Sequence, residues 1–220
     1  MHNVRVLLLL AHALLLSVAG GGQEPPRPAA PPTEAEASQI VERMRGFSMR
    51  LSAAAPSDGR PDATQLRRKE IIKSLRRLGA GGLPALTRAL SDSDVQMRRN
   101  AALALVYLGG GYLDEARPRL DIKGAMPALI RATEDEDADV RAWAAHALAE
   151  MGPGAEPAVP ALVRLLSDKE EGPRNTGCLA LGKIGPGARE ALPALREALH
   201  DPSGDVRGFA RRAIESIGGP

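Results

Sequence analysis

Cysteine, aromatic residues and histidine are all scarce in this chain of 220 residues. Its one cysteine, Cys178, excludes a disulfide within the chain, so packing alone must stabilise the fold. Aromatic residues make up only 2%, which disfavours a sheet sandwich and suits closely packed, alanine-rich helices. No charge of one sign dominates, because 29 basic residues stand against 27 acidic ones. That balance argues against a protein dedicated to binding nucleic acid.

The sequence patterns that usually carry chemistry are also missing. Only His146 and His200 lie beyond the N-terminal segment, and they are far apart along the chain. No set of cysteines and histidines has the spacing of metal ligands, and no glycine-rich phosphate loop follows a strand. The order of Ser, His and Asp residues defines no catalytic triad. We therefore predict a protein that is not an enzyme and that needs no metal or cofactor.

The N-terminus has the order of a secretory signal peptide over residues 1–19. Arg5 precedes an apolar run at 6–18, and small residues up to Ala19 fit a cleavage site. A run of this length rises about 20 Å as a helix, short of the roughly 30 Å hydrocarbon core. We expect export to the periplasm or secretion and no other membrane span, with an uncleaved anchor as the alternative. Residues 20–32, rich in proline and glycine, predict a linker.

What the chain does have is an internal repeat. A motif of an apolar residue followed by Pro-Ala-Leu occurs four times, with its prolines 43, 33 and 33 residues apart. Each block closes on an apolar residue and a glycine. The motifs lie at 83–86, 126–129, 159–162 and 192–195, and the closing pairs at 108–109, 151–152, 184–185 and 217–218. A fixed period of this length indicates a row of stacked helix pairs.

Each block predicts two antiparallel helices. The proline fits the first position of a helix, where its missing N–H costs nothing, and the closing glycine suits a helix end. A divergent first pair is predicted over 33–79, where Thr33 and Glu36 can form a capping box. The predicted fold is all-α, an alpha-solenoid of about five antiparallel helix pairs. Its four clear repeats fill 80–220, with a loop insertion at 110–125 and second helices at 97–108, 140–151, 173–184 and 206–217.

The segment at 139–152 resembles the HEAT-repeat pattern, and most of all the variety named after phycobilisome lyase subunits. It runs Asp-Val-Arg-x-x-Ala-Ala-x-Ala-Leu-x-x-Met-Gly, and the match covers about 83–218, with a weaker extension back to Thr33. The resemblance implies that the second helices line a concave face. It also implies a structural ladder between acidic turns and second-helix arginines. The recurring positions are Asp92, Asp135, Asp168 and Asp201, with Arg98, Arg141, Arg174 and Arg207. The family serves many purposes, so the pattern alone defines no function.

Positions at which the copies differ are the better candidates for function. On the second helices these positions form three columns, which collect most of the few aromatic residues. The first column holds Asn100, Trp143, Thr176 and Phe209, the second Leu103, His146, Leu179 and Arg212, and the third Tyr107, Glu150, Lys183 and Ser216. The candidate partner-binding residues are Leu103, Tyr107, Trp143, His146, Leu179, Phe209 and Arg212. An exposed apolar strip rimmed by charge is typical of a peptide-binding groove. The alternative is that these side chains fill gaps between neighbouring second helices.

Three further features qualify the repeat. The insertion carries Tyr112, Arg117 and Arg119, either for recognition or as a tolerated surface loop. A helix predicted at 63–78 has a basic face, which either attracts an acidic partner or is simply solvated. Arg211 replaces a small residue found at the equivalent position of the other repeats, which predicts a polar outer face on the last repeat. Cys178 is the equivalent residue of the preceding repeat, and it is expected to be a buried packing residue.

The leading hypothesis is an exported, non-catalytic scaffold that binds a protein or peptide through the concave face of the solenoid. We expect it to be a monomer. One alternative is an accessory subunit of an enzyme of the bilin-lyase type, which the resemblance implies and the signal peptide disfavours. The other is a nucleic-acid-binding HEAT-like protein, which would need a basic concave face throughout. The apolar columns and Glu150 disfavour it.

Overall fold

The computed structural model describes residues 33–45, 70, 73–74, 79–110 and 119–218, all within one compact unit. The predicted signal peptide, the linker and most of the predicted helix at 63–78 lie outside this part of the chain. So do Tyr112 and Arg117 of the insertion. In the part that is described, no helix has the length and apolar character needed to cross a membrane.

Every regular element of the described residues is helical, as the repeat predicts. Helix α1 (Glu34–Glu42) belongs to the divergent first unit, and each clear repeat contributes a short first helix and a longer second one. The first helices are α2 (Leu83–Ala89), α4 (Met126–Ala132), α6 (Val159–Leu165) and α8 (Leu192–Ala198). The second helices are α3 (Val95–Gly110), α5 (Ala138–Glu150), α7 (Glu171–Ile184) and α9 (Gly204–Ile217). A 3-10 turn precedes each first helix, at Gly79–Gly82, Lys123–Ala125, Gly152–Ala158 and Gly185–Ala191.

Local sequence signals account for how the helices begin. The capping box of α1 is present, since Glu36 accepts from the Thr33 backbone N–H at 2.8 Å and the Glu36 N–H donates to Thr33 Oγ1 at 3.3 Å. A proline stands at the start of every first helix. The second helices begin about two residues earlier than predicted. Capping explains this in three of them, where Asp94, Asp137 and Ser203 accept backbone N–H groups.

One predicted helix end is wrong. Gly152, Gly185 and Gly218 follow their helices with φ of +57°, +71° and +85°, which favours glycine. Gly109 was expected to do the same, but α3 continues through it to Gly110. A Cβ on Gly109 would lie 2.7 Å from Ile122 Cδ1, so this glycine provides room for the chain that follows the insertion.

The core consists mainly of alanine and leucine side chains shared between neighbouring repeats. Second helices contact one another directly along the row, α3 with α5, α5 with α7 and α7 with α9. First helices meet the next repeat mainly through its 3-10 turn. The row is therefore packed more closely on the side of the second helices. We call the surface formed there by α3, α5, α7 and α9 the inner face.

A ladder of buried ion pairs joins each repeat to the next. In three of the four ladder arginines the Nε atom donates to the aspartate of the following repeat: Arg98 to Asp135 at 2.8 Å, Arg141 to Asp168 at 2.7 Å and Arg174 to Asp201 at 2.8 Å. The Nη1 group of each of these arginines donates to two backbone carbonyls in the turn of its own repeat. The predicted ladder thus pairs both within and between units, which fixes the stacking.

The ladder extends into the divergent first unit in a way that the repeat did not predict. Arg45, just after α1, donates to Asp92 Oδ2 at 2.9 Å. Arg207 at the other end keeps the two carbonyl bonds, to Asp201 and Pro202, but it pairs with no carboxylate of the described residues. Arg211 is exposed, as predicted for a polar outer face.

Candidate functional site

The centre of the inner face carries an aromatic pair on α5. The rings of Trp143 and His146 stack, with centroids 6.1 Å apart and planes inclined by 20°. Both side chains are half-buried. The indole Nε1 of Trp143 is buried and has no acceptor in the described part of the chain. Stacking and packing therefore hold this ring, without a hydrogen bond to orient it.

A charged cluster beside this pair connects α5 to α7. Glu150 Oε1 accepts from Lys183 Nζ at 2.7 Å and lies 3.4 Å from His146 Nε2. The Glu150 side chain is only 1% exposed, whereas that of Lys183 is 38% exposed. Burial lowers the pKa of His146, and Glu150 offsets this only in part. His146 is therefore mainly neutral at physiological pH.

A shallow groove of about 220 Å³ lies between α7 and α9. Leu179 and Phe209 provide its half-buried apolar walls, and the guanidinium of Arg212 lies 4.5 Å from the centre of the Phe209 ring. This distance is within the range of a cation–π interaction. Lys183 also lines the groove, which we call the α7–α9 groove. It combines an aromatic surface with two cationic side chains.

The floor of the groove depends on a close approach between two helices. A Cβ on Gly182 would lie 3.1 Å from the Cα atom of Ala213, which is closer than side chains normally pack. From the sequence alone, Gly182 is expected only to weaken its helix, because glycine has a low helix propensity. Its structural role is to let α7 and α9 approach closely at the groove.

Replacing Gly182 or Gly208 with alanine is expected to change the free energy of unfolding in opposite directions. Gly182→Ala should lower the free energy of unfolding by about 1–2 kcal/mol, because the clash with Ala213 outweighs the gain in helix propensity. Gly208→Ala should raise it by about 0.5–1 kcal/mol, because nothing lies within 4 Å of the added Cβ. Urea unfolding of both variants checks this. Stabilisation by both substitutions would show that α7 and α9 are not tightly packed.

The structure brings together most of the predicted partner-binding residues, but not all. Trp143 and His146 form one contact pair, and Leu179, Phe209 and Arg212 share the α7–α9 groove. The expectation for Leu103 is wrong, because it is 4% exposed and belongs to the core. Tyr107 is half-buried and packs against the core. The sequence left two interpretations of these positions, a binding strip and packing between second helices. Packing applies at Leu103 in the first clear repeat, whereas the positions on α7 and α9 form open surface.

Asn100 shows why the first repeat differs. It occupies the column of Trp143 and Phe209, but it is 1% exposed and donates to the Met44 carbonyl at 2.8 Å. The column position there joins the repeat to the divergent first unit instead of providing surface. From the sequence, Lys183 was placed in the third column but not selected as a binding residue, and the buried pairing of Glu150 with Lys183 was missed. Their spacing of 33 residues, one repeat length, was the signal for that contact.

The chemistry open to the described residues depends on their reactive and metal-binding side chains. Cys178 is fully buried, and burial raises its pKa to about 12, so it is a packing residue as predicted and not a nucleophile. Within the described ranges, no group of three or more His, Cys, Asp or Glu side chains is placed to hold a metal ion. The features described on the inner face are a groove, half-buried apolar side chains and charged side chains, which are features of a binding surface.

These helix pairs, stacked in one row and connected by an ion-pair ladder, define an alpha-solenoid. Two overlapping segments, 112–171 and 126–218, match the family model of HEAT repeats. The resemblance to HEAT repeats predicted from the sequence is therefore confirmed over the matched residues 112–218. A search of curated proteins gives no significant match to the sequence.

Solved structures share the fold at low sequence identity. The complex of CpcE and CpcF of phycocyanin lyase from Nostoc sp. PCC7120 is 24% identical, with a TM-score of 0.57 over 90% of this chain and 70% of that one. A designed armadillo repeat protein in complex with the peptide (KR)4 is 21% identical, with a TM-score of 0.56 over 82% of this chain and 81% of that one. An engineered protein is 22% identical, with a TM-score of 0.56 over 83% and 80%. These similarities show the fold alone.

Proposed function

We propose that this protein is an exported, non-catalytic scaffold that binds an extended peptide or protein segment along its inner face. The observation that carries the proposal is the apolar strip on three consecutive second helices. Trp143, Leu179 and Phe209 are half-buried on α5, α7 and α9. Charged or ionisable side chains accompany each of them, namely His146, Lys183 and Arg212. Aromatic anchors with a polar rim are typical of protein-binding surfaces.

The rigidity of the strip supports the proposal as well. Its side chains stand on helices whose spacing is held by the ion-pair ladder, so little ordering is needed when a partner binds. A designed armadillo repeat protein, similar in fold, is in complex with a peptide. The similarity to the lyase complex extends to the fold only. The apolar residues along the middle of the face, where a nucleic-acid partner would need a continuous basic surface, disfavour such a partner.

The test begins with selection of binders to the purified chain from a random-peptide display library. Binding of the selected peptides is then measured with Trp143→Ala and Phe209→Ala, and each is expected to weaken it by at least about tenfold. Leu199→Ala is the control, because Leu199 is also half-buried but follows the first helix α8. Circular dichroism establishes that all variants fold. Selected peptides that bind both inner-face variants as tightly as wild type would contradict the proposal.

Export is the second part of the proposal, and it depends on residues 1–19 alone. Expression in a secreting host should give a mature chain that begins just after Ala19, which mass spectrometry of the intact protein identifies. A chain that stays intact and membrane-bound would instead indicate an uncleaved anchor. Either result leaves the proposal for the inner face unchanged.

A further inference from the structure

We infer that the α7–α9 groove binds a peptide segment in which an aspartate or glutamate side chain lies next to an apolar side chain. The inference deepens the proposed function and rests on it. Arg212 would hold the carboxylate, and the apolar surface between α7 and α9 would take the neighbouring side chain.

Arg212 is the side chain that selects for a carboxylate. The Arg212 guanidinium carbon lies 4.5 Å from the centre of the Phe209 ring, so contact with the ring restricts the side chain while its N–H groups remain accessible to solvent. Arg212 is exposed, and it makes no ion pair with any carboxylate of the described chain. The ladder arginines differ, because Arg98, Arg141 and Arg174 are each paired with an aspartate. A guanidinium oriented by a ring and unpaired at its edge favours bidentate binding of a carboxylate.

The charge of the groove has the same sign throughout. Its second ionic side chain is Lys183, and none of the residues that line it is acidic. Glu150 binds the Lys183 ammonium from the α5 side, yet 38% of the lysine side chain remains exposed. The groove is therefore electrostatically complementary to an acidic segment, and a basic segment would meet repulsion from Arg212.

The size and surface of the groove indicate which side chain would accompany the carboxylate in the bound peptide. Its volume of about 220 Å³ lies below the roughly 300–1,000 Å³ of pockets for small molecules and cofactors. Leu179, Phe209 and Ala213 provide apolar contacts, and Gly182 also lines the groove without a side chain. The groove thus fits a single aliphatic or aromatic side chain. A carboxylate at Arg212 would lie directly beside it.

The test uses synthetic peptides with acetylated and amidated ends, so that a side chain is the only source of a carboxylate. Peptides carrying leucine or phenylalanine beside glutamate are compared with analogues in which the glutamate is glutamine or the apolar residue is alanine. Affinities are measured by titration calorimetry for the wild-type chain, Arg212→Gln and the control Arg211→Gln. Arg211 is the neighbouring exposed arginine, and it does not line the groove.

The expected result is specific to Arg212. The glutamate peptide should bind wild type at least about tenfold more tightly than its glutamine analogue, and Arg212→Gln should abolish this difference. Arg211→Gln should preserve it. The difference should also shrink as salt concentration rises. Replacing the apolar residue with alanine should weaken binding in both variants.

Several results would overturn the inference. Equal binding of the glutamate and glutamine peptides, or equal losses in the two arginine variants, would remove the role of Arg212. So would a requirement for a free C-terminal carboxylate, or self-association of the chain that Arg212→Gln abolishes. If library-selected peptides depend on Trp143 and Phe209 but lack acidic residues, the inference fails while the proposed function stands. If the library yields no binders and the acidic peptides do not bind wild type either, the inference and the proposed function both fail.

Discussion

Replacing Arg141 with methionine is expected to lower the free energy of unfolding by about 3–5 kcal/mol. The guanidinium is 8% exposed and bonds to both oxygens of Asp168, at 2.7 and 2.8 Å. Without it, the Asp168 carboxylate, itself 10% exposed, would lie buried and unpaired between two repeats. The loss comes mainly from that uncompensated charge, because methionine retains much of the apolar length of arginine.

The chain offers a matched control at the corresponding position of the last repeat. Arg207 donates to two turn carbonyls as Arg141 does, but it has no carboxylate partner within the described residues. Arg207→Met should therefore cost only about 1 kcal/mol. The double variant Arg141→Met with Asp168→Leu should recover much of the loss, since no buried charge remains. Denaturant unfolding measures all three. Equal losses for Arg141→Met and Arg207→Met would show that the ladder contributes little.

Acidification through the ordinary carboxyl pKa range, about 4, and below it is expected to unfold the chain. Hydrogen bonds from Arg45 hold the pKa of Asp92 below its ordinary value, and those from Arg99 do so for Asp137. Burial opposes ionisation of Asp168 and Asp201, yet pairing with Arg141 and Arg174 still lowers both pKa values. Four carboxyl groups at the junctions between repeats therefore favour the folded chain only while they are ionised.

The sign of the effect follows from proton binding. Because these pKa values are depressed in the folded chain, the unfolded chain binds more protons as the pH falls through the ordinary carboxyl range. The stabilisation is complete above that range, and it is lost as the pH falls through the folded-state pKa values. Far-UV circular dichroism across an acid titration should show a cooperative loss of helix. In Asp168→Asn the dependence of stability on pH should be shallower. A helix signal that is unchanged throughout would contradict this account of the junctions.

Much of the fold could be predicted from the repeat, because a repeat makes each position visible four times. Prolines at the starts of first helices, glycines such as Gly152 at helix ends and the arginine–aspartate ladder all recur at fixed spacing. The structure confirms each of these features. The exception at Gly109 occurs where the period itself changes, since Ile122, which follows the insertion, packs against that glycine.

The site was harder to predict, because position along a helix does not fix how closely two helices approach. Leu103 and Leu179 occupy the same column, yet Leu103 is buried and Leu179 lines an open groove. Gly182 illustrates the same limit, since its close contact with Ala213 arises only when the helices pack. The buried pairing of Glu150 likewise depends on the neighbouring helix α7. Repeats define the columns, and contacts between repeats decide which column members remain exposed.

The most direct test of the central claim, that partners bind along the inner face, is hydroxyl-radical footprinting with a library-selected peptide. Trp143 and Phe209 on second helices are compared with Met126 and Leu192, which are also half-buried but start first helices. The account predicts that saturating peptide protects Trp143 and Phe209 from oxidation and leaves Met126 and Leu192 unchanged. Protection of Met126 and Leu192, with Trp143 and Phe209 as reactive as in the free chain, would contradict it.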